Sequence, residues 1–227
     1  TGALADVAGL AEVTHARGGL LLVDAAQTFG QLPIAVATLG ADAMAAPTHK
    51  WLQGTPGVGL LWMRPGLEPE AFVAGGTGSA SDSLEMPDAY CERMEAGTPD
   101  VPALAALVAA VEWLEARGPA AVGAACRMLA ADAAMRLESL AGCVVAASPD
   151  GAPIVSFTVE GYDPATIAVL LEQMAGLQVR SGHHCAATVH VHLATGAAGT
   201  VRASFGPANT TSDVDALVGA VAAILGG

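Results

Sequence analysis

Leu20-Leu21-Leu22-Val23-Asp24 is the stretch that decides the fold. Its four apolar residues show no alternation, the pattern of a strand buried on both faces of a parallel sheet, and the run stops at a carboxylate. Upstream, Leu4, Val7, Ala8, Ala11 and His15 recur at helical spacing, predicting a helix over Ala3–Arg17 that Gly18-Gly19 ends. Downstream, residues 42–46 and Gly59–Met63 read as two more short strands, with Pro56-Gly57 as the turn between them. Helix and strand signals that alternate in this way predict an α/β layer architecture.

Periodicity fades from Arg64 to Pro99, where Gly75-Gly76-Thr77-Gly78-Ser79-Ala80-Ser81 reads as a flexible stretch inside a long loop. Helices are predicted over Pro102–Arg117 and 120–141, separated by Gly118-Pro119. Strands at 143–147 and 153–159, a helix over Pro164–Ala175, strands at 177–181 and 200–205, and a helix over Asp213–Leu225 complete the chain. Thr210, Thr211 and Ser212 are the N-cap candidates of that last helix. A boundary among the 102–140 helices gives residues 1–118 as the remnant of a large domain and 119–227 as a small α/β domain.

The 227 residues carry 9 Lys+Arg against 22 Asp+Glu, a formal charge of −13 that argues against a nucleic-acid groove. The longest apolar run, residues 101–111, is broken by Glu112 and is far short of the about 20 residues a membrane helix needs. A soluble, cytoplasmic protein is the expectation. Cys91, Cys126, Cys143 and Cys185 show no CxxC spacing, so neither a zinc knuckle nor a disulfide framework is indicated. The chain opens on Thr1-Gly2 without a Met, which predicts a piece of something longer.

Lys50 is the only lysine beside eight arginines. Arginine replaces lysine in most charge-bearing roles, yet only lysine can lose its proton and form an imine. The other reading is a leftover surface lysine. Asp24 closes a strand at the end where α/β sheets bind ligands, and a carboxylate there can keep a pyridinium nitrogen protonated. It can equally cap the following turn. Cys185 lies in Arg180-Ser181-Gly182-His183-His184-Cys185-Ala186, where neighbouring His and Arg can activate a thiol. Metal binding by His183, His184, Cys185, His190 and His192 is a further possibility, although the spacing fits no standard zinc pattern. Cys91, Cys126 and Cys143 read as buried, inert packing residues. Arg202, inside a strand-like run, is either a carboxylate clamp or an edge residue facing water.

Taken together, six segments resemble the class V, fold-type I pyridoxal-phosphate enzymes, and most closely the SufS/NifS-like cysteine desulfurases and selenocysteine lyases. They are Val23-Asp24-Ala25-Ala26-Gln27, Thr48-His49-Lys50-Trp51-Leu52, Gly57-Val58-Gly59, Glu95-Ala96-Gly97-Thr98-Pro99, Arg180 to Ala186, and Val201-Arg202-Ala203-Ser204. The resemblance implies the C-terminal part of the large domain followed by the small domain. It implies pyridoxal 5'-phosphate as cofactor, with Lys50 forming the Schiff base, Asp24 pairing with the pyridine nitrogen and Gln27 contacting the ring hydroxyl. His49 is then beside the cofactor, and Thr98 reaches a phosphate oxygen, usually that of a partner subunit. Arg202 and Arg180 hold the substrate, and Cys185 takes the sulfur of cysteine or selenium of selenocysteine. A homodimer and a sulfur-acceptor protein are the implied partners. Pro47 departs from the pattern by standing where desulfurases commonly have serine. Competing readings are another class V enzyme (aminotransferase, lyase or epimerase) with Cys185 incidental, a non-catalytic dimerisation or binding module, and a metal-binding module.

Overall fold

The structure, a computed structural model, describes every residue except Ala80, Ser81, Pro149 and Gly227. The end of the glycine-rich stretch at 75–81 therefore lies outside the described residues. The chain divides into two compact units, one formed by Asp6–Gly118, the other by Thr1–Ala5 with the chain from Pro119 onward.

The Asp6–Gly118 unit begins with α1 (Val7–His15), shorter than the periodicity predicts. Asp6 is its N-cap and accepts the Gly9 N–H, so the helix cannot extend back to Ala3. Three strands follow, β1 (Leu22–Asp24), β2 (Ala43–Pro47) and β3 (Gly59–Met63), in a sheet of that order. β1 and β2 are parallel, with Asp24 opposite Ala45, while β2 and β3 are antiparallel, with Pro47 opposite Gly59. Ala25, Met44 and Ala46 form the buried centre, against which Val23, Phe29, Ile34 and Trp62 pack.

The expected two-sided burial of the first strand is not found. Leu20 is 59% and Leu22 64% exposed. Among the described residues β1 pairs with β2 alone, and of its three residues Leu22 and Asp24 are exposed and Val23 is half-buried. Among the described residues of the long 64–99 region there is one short helix, α2 (Tyr90–Met94), which the sequence did not announce. No residue of α2 is buried, and Cys91 is exposed, contrary to its reading as a packing residue. The unit ends with α3 (Val101–Arg117), N-capped by Asp100.

In the second unit, α4 (Pro119–Glu138), α5 (Pro164–Ala175) and α7 (Thr211–Gly226) bury their apolar faces in one core with a four-stranded antiparallel sheet. The strands are β4 (Cys143–Ala146), β5 (Ile154–Val159), β6 (Arg180–Gly182) and β7 (Thr200–Ser204), in the order β4-β5-β7-β6. A four-residue helix, α6 (Val189–His192), precedes β7. Leu137, Phe157, Ile167, Leu171, Val201, Val214 and Val221 are fully buried. Because side chains alternate along a strand, placing Val201 and Ala203 in this core puts Thr200 and Arg202 on the opposite sheet face. Cys126 and Cys143 are buried, as expected of packing residues. Burial pushes the Cys143 thiol up to about 11 and raises that of Cys126.

Among the described residues no helix is long and apolar enough to cross a membrane, and no group of three or more His, Cys, Asp or Glu side chains could hold a metal ion.

Candidate active site

Two clusters contain all the residues singled out in the sequence except Thr98, one cluster in each unit.

In the first unit the parallel pairing of β1 with β2 brings their carboxyl ends side by side, so the chain leaves the sheet twice at one place. Asp24 ends β1, and Thr48-His49-Lys50 follows Pro47 at the end of β2. The fully buried Thr48 hydroxyl donates to the carbonyls of Val58 (2.9 Å) and Thr55 (3.2 Å), and the Gly54 N–H donates to Thr48 O. These bonds fold residues 48–58 into a compact loop that leaves His49 and Lys50 exposed. No ion pair involves the Lys50 ammonium among the described residues, and Gln53, three residues on, has a φ of +61°.

A second loop, residues 25–30, packs against this one. Gly30 makes that possible: its φ is +100°, and a Cβ there would lie 2.7 Å from both the carbonyl carbon and oxygen of Trp51. The Trp51 indole N–H donates to Gln27 Oε1 at 3.4 Å, so the residue after Lys50 holds the side chain expected at the ring hydroxyl. Among the described residues the Gln27 side-chain N–H groups have no partner, which leaves them for a ligand oxygen. Asp24 is exposed, and its Oδ1 accepts the Ala26 N–H at 2.9 Å. The turn-capping reading is therefore met by one oxygen, while Oδ2 has no protein partner among the described residues.

Thr98 is exposed, two residues before Asp100. Asp100 Oδ1 caps α3 at Ala103 N, and its Oδ2 lies against Gly57 of the 48–58 loop. No hydrogen bond joins Thr98 to Lys50, Asp24 or Gln27.

In the second unit, Arg180 on β6 and Arg202 on β7 are directly opposite in register, which puts both side chains on the face away from the helices. Like charges placed so are unfavourable unless an anion joins them. Arg202 Nε is buried without a hydrogen-bond partner, an unspent donor. Burial, and then the positive charge of Arg180, push the Arg202 guanidinium below its ordinary pKa. Arginine's basicity leaves it charged all the same.

Arg180 Nη2 donates to the Cys185 sulfur at 3.6 Å, and the thiol is exposed. Cys185 has a φ of +62° and His184 one of +53°, on two successive residues that carry a Cβ. Such backbone costs on the order of 1–3 kcal/mol per residue and persists only where surrounding contacts impose it. The His184 ring supplies one such contact, its Nε2 lying 3.0 Å from Thr200 O and 3.1 Å from Thr200 Oγ1. Burial lowers the His184 pKa, which keeps the imidazole neutral near pH 7. Among the described residues the non-glycine positions of positive φ are Gln53 in the loop that follows Lys50, His184 and Cys185, and Ala194 just after α6. The sequence did not single out Trp51 as the partner of Gln27, or Gly30 as that of Trp51, because 24 and 21 residues separate the members that meet.

This α/β scaffold, with a lysine and a carboxylate at adjoining strand ends, defines a class of protein. The chain belongs to the aminotransferase class-V family, whose description matches residues 1–217. It is 32% identical over 224 residues to a probable cysteine desulfurase of Methanothermobacter thermautotrophicus, covering 95% of this chain and 56% of that protein. It is 36% identical over 230 residues to probable cysteine desulfurase 2 of Mycobacterium leprae, covering 97% of this chain and 54% of that protein. Among solved structures, cysteine desulfurase CsdA from Escherichia coli is similar over 100% of this chain and 56% of its own, with a TM-score of 0.91 and 32% identity. The chain thus spans about half the length of the curated relatives it matches.

Pyridoxal 5'-phosphate is the cofactor of this family. The donor set fits it: an unpaired primary amine at Lys50, a carboxylate oxygen of Asp24 without a protein partner, and free amide donors on Gln27 held in place by Trp51.

Proposed function

We propose that this chain is part of a pyridoxal-phosphate-dependent cysteine desulfurase. One observation carries the reading: an exposed Cys185, on backbone forced into the left-handed region, with Arg180 3.6 Å from its sulfur and Arg202 opposite with a donor to spare.

Lys50 would hold the cofactor through its ε-amine, Asp24 would pair with the pyridine nitrogen, and Gln27 would donate to the ring oxygen. His49 borders the same place, and Thr98 serves the phosphate, in the family usually that of the partner subunit. When bound, the cofactor supplies an electron sink for carbon–sulfur bond cleavage. The amine of Lys50, once free, can take a proton from the substrate α-carbon and later return one. Arg202 binds the substrate carboxylate with its unspent Nε–H and remaining donors. Arg180 donates to the Cys185 sulfur and orients it, the thiolate being the nucleophile. The balance is cysteine plus the Cys185 thiol giving alanine plus a persulfide on Cys185. The substrate's C–S bond breaks, an S–S bond forms, and the carbon left behind gains a proton. Cysteine or selenocysteine as substrate, a sulfur-acceptor protein, a homodimer and a cytoplasmic site of action belong to the same proposal.

The test supplies pyridoxal phosphate and cysteine to the chain and measures alanine and the mass of the Cys185 peptide. The reading predicts equal amounts of alanine and of a peptide heavier by one sulfur atom. Alanine formed equally well by Cys185→Ser would overturn it.

A further inference from the structure

Of the six histidines, His190 is the one the structure buries, at 5% exposure. It sits on α6, beyond the Cys185 loop, and both its ring nitrogens are engaged. Nε2 lies 3.2 Å from the carbonyl oxygen of His183, which can only accept, so Nε2 carries the proton. Nδ1 must then accept, and the Thr195 hydroxyl, 2.7 Å away, donates to it. The same His183 carbonyl accepts the Ala186 N–H at 2.9 Å, closing the turn that contains Cys185. His183 and His190 rings stand 5.0 Å apart.

The loop is thus held at two adjacent residues. His184 ties it to β7 through Thr200, and His190 ties it to α6 through the carbonyl of His183. The two residues of left-handed backbone, His184 and Cys185, lie between His183, whose carbonyl His190 holds, and Ala186, whose N–H bonds to that same carbonyl. An apolar side chain would fill the space of a buried imidazole without desolvating two polar nitrogens, so the benefit of histidine here is directional.

We propose that His190, its tautomer set by Thr195, is a positioning residue for Cys185. Its Nε2–H holds the His183 carbonyl and so keeps the Cys185 sulfur beside the Arg180 guanidinium. The importance of that placement rests on the reading of Cys185 as sulfur acceptor.

The test compares anionic iodoacetate with neutral iodoacetamide, reading alkylation at Cys185 against exposed Cys91 by peptide mass spectrometry. Beside Arg180, Cys185 favours the anionic reagent relative to Cys91. In His190→Ala that preference falls at least about threefold, the scale of one exposed charge contact. His190→Gln restores it, because its amide N–H can reach the same carbonyl, and Thr195→Val falls part of the way. An unchanged preference in His190→Ala, or a His190→Gln as low as the alanine variant, overturns the proposal. If His190→Ala does not fold, Thr195→Val decides by the same criterion. Sulfide release is measured separately. A chain that behaves as expected in alkylation but yields no sulfide from cysteine retains the positioning role and loses the desulfurase reading.

Discussion

Gly30→Ala is the substitution whose cost the structure lets one work out. At φ +100° a residue with a Cβ meets the backbone penalty of the left-handed region, about 1–2 kcal/mol. The Cβ would also stand 2.7 Å from the carbonyl carbon and oxygen of Trp51 and 3.0 Å from the Leu52 nitrogen, where ordinary contact begins at 3.4 Å. Those atoms are backbone, so the 25–30 and 48–58 loops must part, an overpacking cost of about 1–3 kcal/mol. The sum is about 2–5 kcal/mol, a large fraction of a typical domain's stability of about 5–15 kcal/mol. Gly66→Ala separates the two parts, since its φ of +83° carries the backbone penalty while no atom lies within 4 Å of the new Cβ. Trp51, Trp62 and Trp113 all lie in the Asp6–Gly118 unit, so urea unfolding followed by tryptophan fluorescence reads that unit alone. The expected result is a Gly30→Ala loss at least about 1 kcal/mol larger than that of Gly66→Ala. Equal losses at both positions would refute the reasoning that the two loops are in tight backbone contact.

Three further outcomes are expected. Cys185→Ser leaves pyridoxal-phosphate attachment at Lys50 unchanged while persulfide formation falls to background, measured by peptide mass spectrometry. With a disulfide thiol reagent at pH 8, exposed Cys91 and Cys185 react quickly, and buried Cys126 and Cys143, their thiols pushed up by burial, react only after denaturation. Asp42, 3% exposed, accepts from Leu21 N (2.7 Å), His15 Nε2 (2.9 Å) and Arg64 Nε (2.6 Å), and these bonds hold its carboxyl well below the usual carboxylate range. A depressed folded pKa means the unfolded chain binds the proton more readily, so this stabilisation is complete above about pH 4–5 and is lost as the pH falls toward the folded value. Asp42→Asn should lower the melting temperature at pH 7 and flatten its decline between pH 5 and 3 in a thermal melt series.

The sequence made the element order and most boundaries legible because the local signals are strong. Gly118-Pro119 separates α3 from α4, with Gly118 as the C-cap of α3 and Pro119 the first residue of α4. What escaped was set by neighbours. Leu20-Leu21-Leu22-Val23 reads as two-sided burial, but burial depends on what covers the two faces of the sheet, and Leu20 and Leu22 are left exposed. Cys91 reads like any isolated cysteine, and only the shallow seat of α2 exposes it. The candidate site was legible only as residue types, which the structure places at the end of β1 (Asp24), in the loops after β2 and β6 (Lys50 and Cys185) and in the middle of β7 (Arg202). The contacts that orient them were not, since Trp51 with Gln27, Gly30 with Trp51 and His190 with His183 are facts of packing and carry no periodicity.

The most direct test of the central claim is to incubate the chain with pyridoxal phosphate, reduce with borohydride and map the modified peptide by mass spectrometry. Lys50 is the only side-chain amine of lysine type in the chain, so the result has little to confuse it beyond the α-amine of Thr1. The account predicts stoichiometric modification at Lys50 that survives moderate dilution of the cofactor before reduction. Modification no greater than in a urea-unfolded control would contradict it.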